Sequence, residues 1–127
     1  IQLKAHYKIK NINFCGYMTD VTNIWRKNHG IIMPSHMEGV PIVVLGAMLC
    51  ARVPVLTDVG GHSELVEDNS SGFIADAPTA KLIDEALERA WTKRHDWEMI
   101  GRQAREAVLR FQAEEPISDF VDKIIAL

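Results

Sequence analysis

The stretch PSHMEGVPIVVLGAMLCARVPVLTDVGG, from Pro34 to Gly61, decides the fold. It reads as a strand end, a turn, an apolar helix, a second strand and a glycine turn. Ile31-Ile32-Met33 leads into it as a buried strand. Val53-Pro54-Val55-Leu56-Thr57 is the strand that follows, with Pro54 confined to its beginning, where a missing N–H is tolerated. Pro41 to Cys50 is apolar on every side, so this helix is expected to be covered on all faces, between a sheet and another layer. Glu38 and Gly39 stand at the mouth of the helix, which begins around Pro41. The first N–H groups of a helix have no intrahelical acceptors and lie at the positive end of its dipole, so phosphate or another anion is the natural ligand there.

On the N-terminal side, Leu3, Ala5 and Tyr7 among lysines suggest the tail of a helix, and Ile12 and Phe14 a short strand closed by Gly16. Thr19 or Asp20 caps a short helix that carries Val21, Ile24 and Trp25 on one side; Asn28-His29-Gly30 ends it, with Gly30 suited to a C′ position. On the other side, Gly60-Gly61 turns the chain into a short helix around Ser63 to Glu67, Asn69 to Gly72 is a turn, and Phe73-Ile74-Ala75 is a short strand. From Pro78, placed in a first turn, the spacing is helical: Leu82, Ile83, Ala86, Leu87, Ala90 and Trp91 make one stripe. Trp97, Ile100, Ala104, Ala107, Val108 and Phe111 make a second, and a third helix starts at Pro116. Strands alternating with helices predict an α/β fold, a Rossmann-like parallel sheet with helices on both faces and a helical C-terminal tail. No repeat or linker divides the chain, so residues 1–127 form a single domain. An N-terminus with neither an initiator Met nor a signal-peptide pattern suggests a piece cut from something longer.

The 127 residues suit one domain, and a hydrophobic share of 47% with 24% charged is that of an ordinary globular protein. The formal net charge of −3 gives no electrostatic reason to expect nucleic acid or an anionic membrane as partner, so any anion site must be local. Cys15 and Cys50 lack both metal-ligand spacing and the density of a disulfide framework; two reduced, buried thiols and a cytoplasmic location are expected.

Ligands of open parallel sheets gather where strand-to-helix turns converge at the carboxyl ends of the strands. Three such turns are expected on one edge: Gly16-Tyr17-Met18, Ser35 to Pro41, and Asp58 to Gly61. Taken singly, Gly16 or Gly60 also serves simply to permit a tight turn. Glu38 beside a helix N-terminus would stabilise the dipole by roughly 0.3–1 kcal/mol, and it also stands where a ligand would sit. His36 and Glu38 have no third or fourth metal ligand spaced to join them. His62 and Glu64 read as capping and surface residues, Trp25, Trp91 and Trp97 as core, and Lys93-Arg94-His95 as a solvated link.

Pro34-Ser35, Glu38-Gly39, Pro41, Ala47-Met48, Cys50, Pro54-Val55, Thr57 to Gly61, Glu64 and Gly72-Phe73 together resemble the C-terminal, donor-binding domain of retaining family 4 (group 1) nucleotide-sugar glycosyltransferases of the two-Rossmann-domain (GT-B) fold. The resemblance implies the C-terminal half of such an enzyme, N-terminally truncated. Glu38 matches the first glutamate of the family's Glu, seven residues, Glu motif, which touches the transferred sugar, and is the catalytic candidate. Gly39, Val40, Pro41 and Ile42 match the segment whose backbone holds the donor phosphates and sugar. Tyr17 and Met18 follow the strand that borders the nucleobase, and Gly16, Ser35, Gly60 and Gly61 complete the donor site. The implied partners are a nucleoside-diphosphate sugar and, through an absent N-terminal domain, an acceptor sugar, lipid or other glycan, with no metal cofactor required.

Three departures from the pattern stand out. The second motif glutamate, which binds the ribose, falls on Gly46; losing a charge-assisted bond there would weaken donor binding by roughly 1.5–3 kcal/mol, about ten- to a hundredfold. Ala51 stands where glycine is usual and reads as a packing variation. The family's basic pair, on a strand that would precede Ile1, is missing, and Lys4, Lys8 and Lys10 are wrongly placed to replace it, so the chain alone is not expected to catalyse transfer. A non-catalytic binding or scaffold domain descended from such an enzyme is the main rival reading. A nicotinamide-dependent oxidoreductase would require a Gly-x-Gly-x-x-Gly turn, which the sequence lacks.

Overall fold

The computed structural model describes residues 8–111 and 124–126. The helix tail expected before Lys8, and the helix expected from Pro116 apart from its last residues, lie outside them. In chain order the elements are α1 (Val21–Lys27), β1 (Gly30–Met33), α2 (Ile42–Leu49), β2 (Val53–Thr57), α3 (His62–Leu65), β3 (Phe73–Ala75), α4 (Ala80–Thr92), a 3-10 turn (Arg94–Asp96) and α5 (Trp97–Phe111). The three strands form a parallel sheet in the order β1-β2-β3, with Ile32 opposite Val55 and Val55 opposite Phe73. Pro54 is tolerated in the central strand because pairing with β3 begins only at Val55, leaving Pro54 a partner on the β1 side alone.

Side chains alternate across β2 and β3 and so build two cores. Leu56 and Ile74 pack with Val44 and Met48 of α2 and Ala104 and Val108 of α5. On the opposite face, Val53, Val55, Phe73 and Ala75 pack with Ala86 and Ala90 of α4 and Ile100 of α5. Helices therefore cover both faces, as the alternation of elements predicts. Local signals fix their ends: Asp20 accepts the Asn23 N–H at 2.9 Å to start α1, and Thr79 accepts the Leu82 N–H to start α4. Pro78 accordingly precedes the cap and is not in the first turn.

Several expectations change. The Ile12 to Gly16 segment is coil, because alternation becomes a strand only where a neighbouring ladder takes it up. Among the described residues β1 is an edge strand and not a buried one, with Ile32 57% exposed. Gly30 is its first residue and no C′ cap; α1 ends at Asn28, and a Cβ on Gly30 would stand 2.5 Å from the Val53 carbonyl oxygen, so glycine allows the two strands to approach. α2 buries Val44, Ala47 and Met48 but leaves Ile42 and Val43 exposed, since the sheet and α5 cover only one side of it. Cys15 and Cys50 are free and exposed, not buried. Trp91 lies outside the core, edge-on to Trp97 and beneath the Arg94 guanidinium. Ala51 is more than a packing variation: its N–H bonds the Met48 carbonyl and the Arg52 N–H the Ala47 carbonyl, a Schellman end that holds Ala51 at φ +56°.

Candidate active site at the mouth of α2

The carboxyl ends of β1 and β2 deliver two turns to one place, Ser35 to Pro41 and Asp58 to Gly61. Their backbones interlock. The Gly61 N–H donates to the Gly39 carbonyl at 3.1 Å. Gly60, at φ +56°, lies so close to the first turn that a Cβ on it would collide with the Glu38 carbonyl oxygen, and one on Gly61 would reach Val40 Cγ2 at 2.7 Å. The glycine pair is thus there for close approach as well as for the turn.

Beneath the turns, a line of hydrogen bonds runs inward. Ser35 Oγ donates to Glu38 Oε1 at 2.8 Å, fixing a half-buried carboxylate. Thr57, fully buried at the end of β2, donates from Oγ1 to the Ser35 carbonyl at 2.7 Å. His62 Nδ1 lies 2.8 Å from the Thr57 carbonyl, which can only accept, so the ring carries its proton on Nδ1. His62 is completely buried, which corrects its reading as a surface or capping residue. A four-residue helix has no periodicity to show which face is covered. Thr57 and His62 are supports that sequence reasoning missed; the signal for Thr57 was its place at the end of a buried strand, and His62, at the start of the short helix after it, carried none.

Above the turns stands the N-terminus of α2. Its N-cap, Pro41, makes no side-chain capping bond, and the first ladder bond is from the Val44 N–H to the Pro41 carbonyl at 3.0 Å. The N–H groups of Ile42 and Val43 precede that bond and are available to an anion. An open helix mouth beside a fixed carboxylate can take a ligand that carries both phosphate and hydroxyl groups.

Of the residues singled out in the sequence, Ser35, Glu38, Gly39, Val40, Pro41, Ile42, Gly60 and Gly61 come together here. Gly46 lies one turn along α2, and among the described residues a Cβ placed on it would lie 3.6 Å from Trp25 Nε1. Among the described residues no hydrogen bond joins Gly16, Tyr17 or Met18 to either turn, and Tyr17 is 93% exposed. They follow the segment that forms no strand. Among the described residues no group of three His, Cys, Asp or Glu side chains is placed to hold a metal ion.

The family model for glycosyl transferases group 1 matches residues 1–107, and the chain belongs to that family. It is 22% identical to a putative glycosyltransferase, EpsD, of Bacillus subtilis over 88% of this chain and 29% of the relative. It is 30% identical to a D-inositol 3-phosphate glycosyltransferase of Saccharomonospora viridis over 72% of this chain and 21% of the relative. Among solved structures it resembles sucrose-phosphate synthase from Thermosynechococcus elongatus, with a TM-score of 0.81 and 20% identity, over 98% of this chain and 32% of that one. Anabaena HepE in complex with UDP and glucose gives a TM-score of 0.75 and 20% identity, over 99% and 35%. The fold is the α/β fold of GT-B glycosyltransferases, and the chain spans about a third or less of the length of these proteins.

Proposed function

We propose that the chain is the donor-binding part of a retaining glycosyltransferase that transfers a hexosyl group from a nucleoside-diphosphate sugar in the cytoplasm. The observation that carries this reading is the uncapped mouth of α2 beside Glu38, with the carboxylate held by Ser35. The diphosphate rests on the N–H groups of Gly39, Val40, Ile42 and Val43, where the helix dipole and oriented amides stabilise negative charge as the leaving group departs. Glu38 accepts hydrogen bonds from hydroxyls of the transferred sugar. The scheme calls for no metal. Its acceptor, a sugar, lipid or other glycan, binds a part of the parent protein beyond this chain, consistent with the share of its relatives that the chain spans.

Gly46 favours a second reading, a non-catalytic descendant that still binds. Calorimetric titration with UDP, GDP and ADP at low salt tests the shared premise of both readings. One nucleotide is expected to bind, and Glu38→Gln to weaken its sugar conjugate about tenfold while leaving the free nucleotide unchanged, the loss of one hydrogen bond to a charged group. Absence of binding by all three nucleotides would contradict the reading.

A further inference from the structure

One side chain closes the turn that follows β2. His62 Nδ1–H donates to the Thr57 carbonyl at 2.8 Å. Within that span the Val59 N–H donates to the same carbonyl at 2.9 Å, and the His62 N–H to the Val59 carbonyl at 3.3 Å. From the turn so closed, two bonds cross to the first turn: Thr57 Oγ1 to the Ser35 carbonyl at 2.7 Å, and the Gly61 N–H to the Gly39 carbonyl at 3.1 Å. The two acceptors stand on either side of Glu38, whose carboxylate is held by Ser35 Oγ. His62 thus fixes the spacing of the two donors that clasp the segment around Glu38. It does so at a cost, because the ring is completely buried and Nε2, a bare lone pair in this tautomer, has no hydrogen-bond partner among the described residues. A leucine would fill much of the same space without that cost, so what the ring supplies is its Nδ1–H.

We propose that His62 is a positioning residue for Glu38: by closing the turn from Thr57 to Gly61, it sets where the carboxylate meets the hydroxyls of the transferred sugar. The inference rests on the reading that Glu38 accepts hydrogen bonds from that sugar. The ring itself touches no ligand and acts through the carbonyls of Ser35 and Gly39. Hydrogen bonds weaken steeply as their angle falls, so a first turn released at these two points costs the sugar its contact with Glu38. The free nucleotide is affected less, because Ile42 and Val43 belong to α2 itself and keep their place.

The test is calorimetry on the whole chain and on His62→Leu, His62→Asn and Glu38→Gln, with UDP, GDP and ADP and with the glucose conjugate of the nucleotide that binds. Asparagine puts an amide N–H where Nδ1 stands and adds no Nε2. His62→Leu is expected to bind the conjugate about tenfold more weakly and the free nucleotide within about twofold of the natural chain. His62→Asn is expected to restore conjugate binding. On a Glu38→Gln background His62→Leu adds no further loss, since both act through one carboxylate, whereas a general loosening of the fold would add to it. Nitrogen-15 shifts of the His62 ring are expected to place its proton on Nδ1. No loss in His62→Leu, an equal loss for conjugate and nucleotide, additive losses in the double variant, no rescue by asparagine, or a proton on Nε2 would each overturn the role of His62 and leave the proposed function standing. If His62→Leu does not fold, His62→Asn and the ring signals decide. A conjugate indifferent to Glu38→Gln, or no binding by any nucleotide, overturns the reading of the site and the role of His62 with it.

Discussion

At Ala51, a residue with a Cβ occupies a left-handed helix end at φ +56°, a conformation that costs a non-glycine residue about 1–2 kcal/mol. Part of that cost is offset by the lower chain entropy of alanine in the unfolded state. Ala51→Gly is expected to stabilise the fold by about 0.5–1 kcal/mol, measured as a higher denaturation midpoint with an unchanged slope. Gly46 presents the opposite case, glycine inside a helix. Among the described residues a Cβ there meets an ordinary van der Waals contact with Trp25 Nε1 at 3.6 Å, so Gly46→Glu should fit without strain. It should add up to about 1 kcal/mol of helix stability. Its carboxylate would offer an acceptor to a ribose, and nucleotide affinity should rise about tenfold by calorimetry. Both positions were visible in the sequence as departures from a pattern. Their physical meaning was not, because a backbone angle and the space beside a helix are properties of the folded chain.

Among the elements, those fixed by local chemistry were the most legible. Asp20 and Thr79 mark helix starts, and the apolar run Val53 to Thr57 could hardly be anything but a buried strand. Exposure was less legible. β1 and α2 are apolar in composition, and composition does not tell which of their sides the sheet and α5 will cover. The Ile12 to Gly16 segment shows the limit from another direction, since its alternation has strand character but its pairing depends on residues far along the chain. At the site, β2 supports the first turn through Thr57. Thr57→Val keeps the shape and removes the bond to the Ser35 carbonyl at 2.7 Å. It should cost about 1–3 kcal/mol of stability for a buried acceptor left unpaired, and should weaken sugar-conjugate binding by loosening Ser35 and Glu38. Gly60→Ala is the harsher test of the interlocked turns. A left-handed angle and a clash with the Glu38 carbonyl should together cost at least about 2 kcal/mol, seen as a lower melting temperature in a chain that still folds.

For the whole molecule, the alternation of strand and helix specified a parallel sheet with two cores, and the sheet in turn determines where a ligand can sit. The turns from β1 and β2 meet because parallel neighbours release their chains on the same edge. The first expected turn, Gly16 to Met18, makes no hydrogen bond to them among the described residues, and the proposed phosphate-and-sugar contacts rest on the two turns that interlock. The central claim is that the mouth of α2 holds the phosphates of a sugar nucleotide, and backbone amide resonances report on it most directly. On adding the nucleotide that binds, the amides of Gly39, Val40, Ile42 and Val43 are predicted to shift together and further than those of α4 and α5. A bound nucleotide that leaves these four amides unmoved and shifts resonances elsewhere would contradict the account.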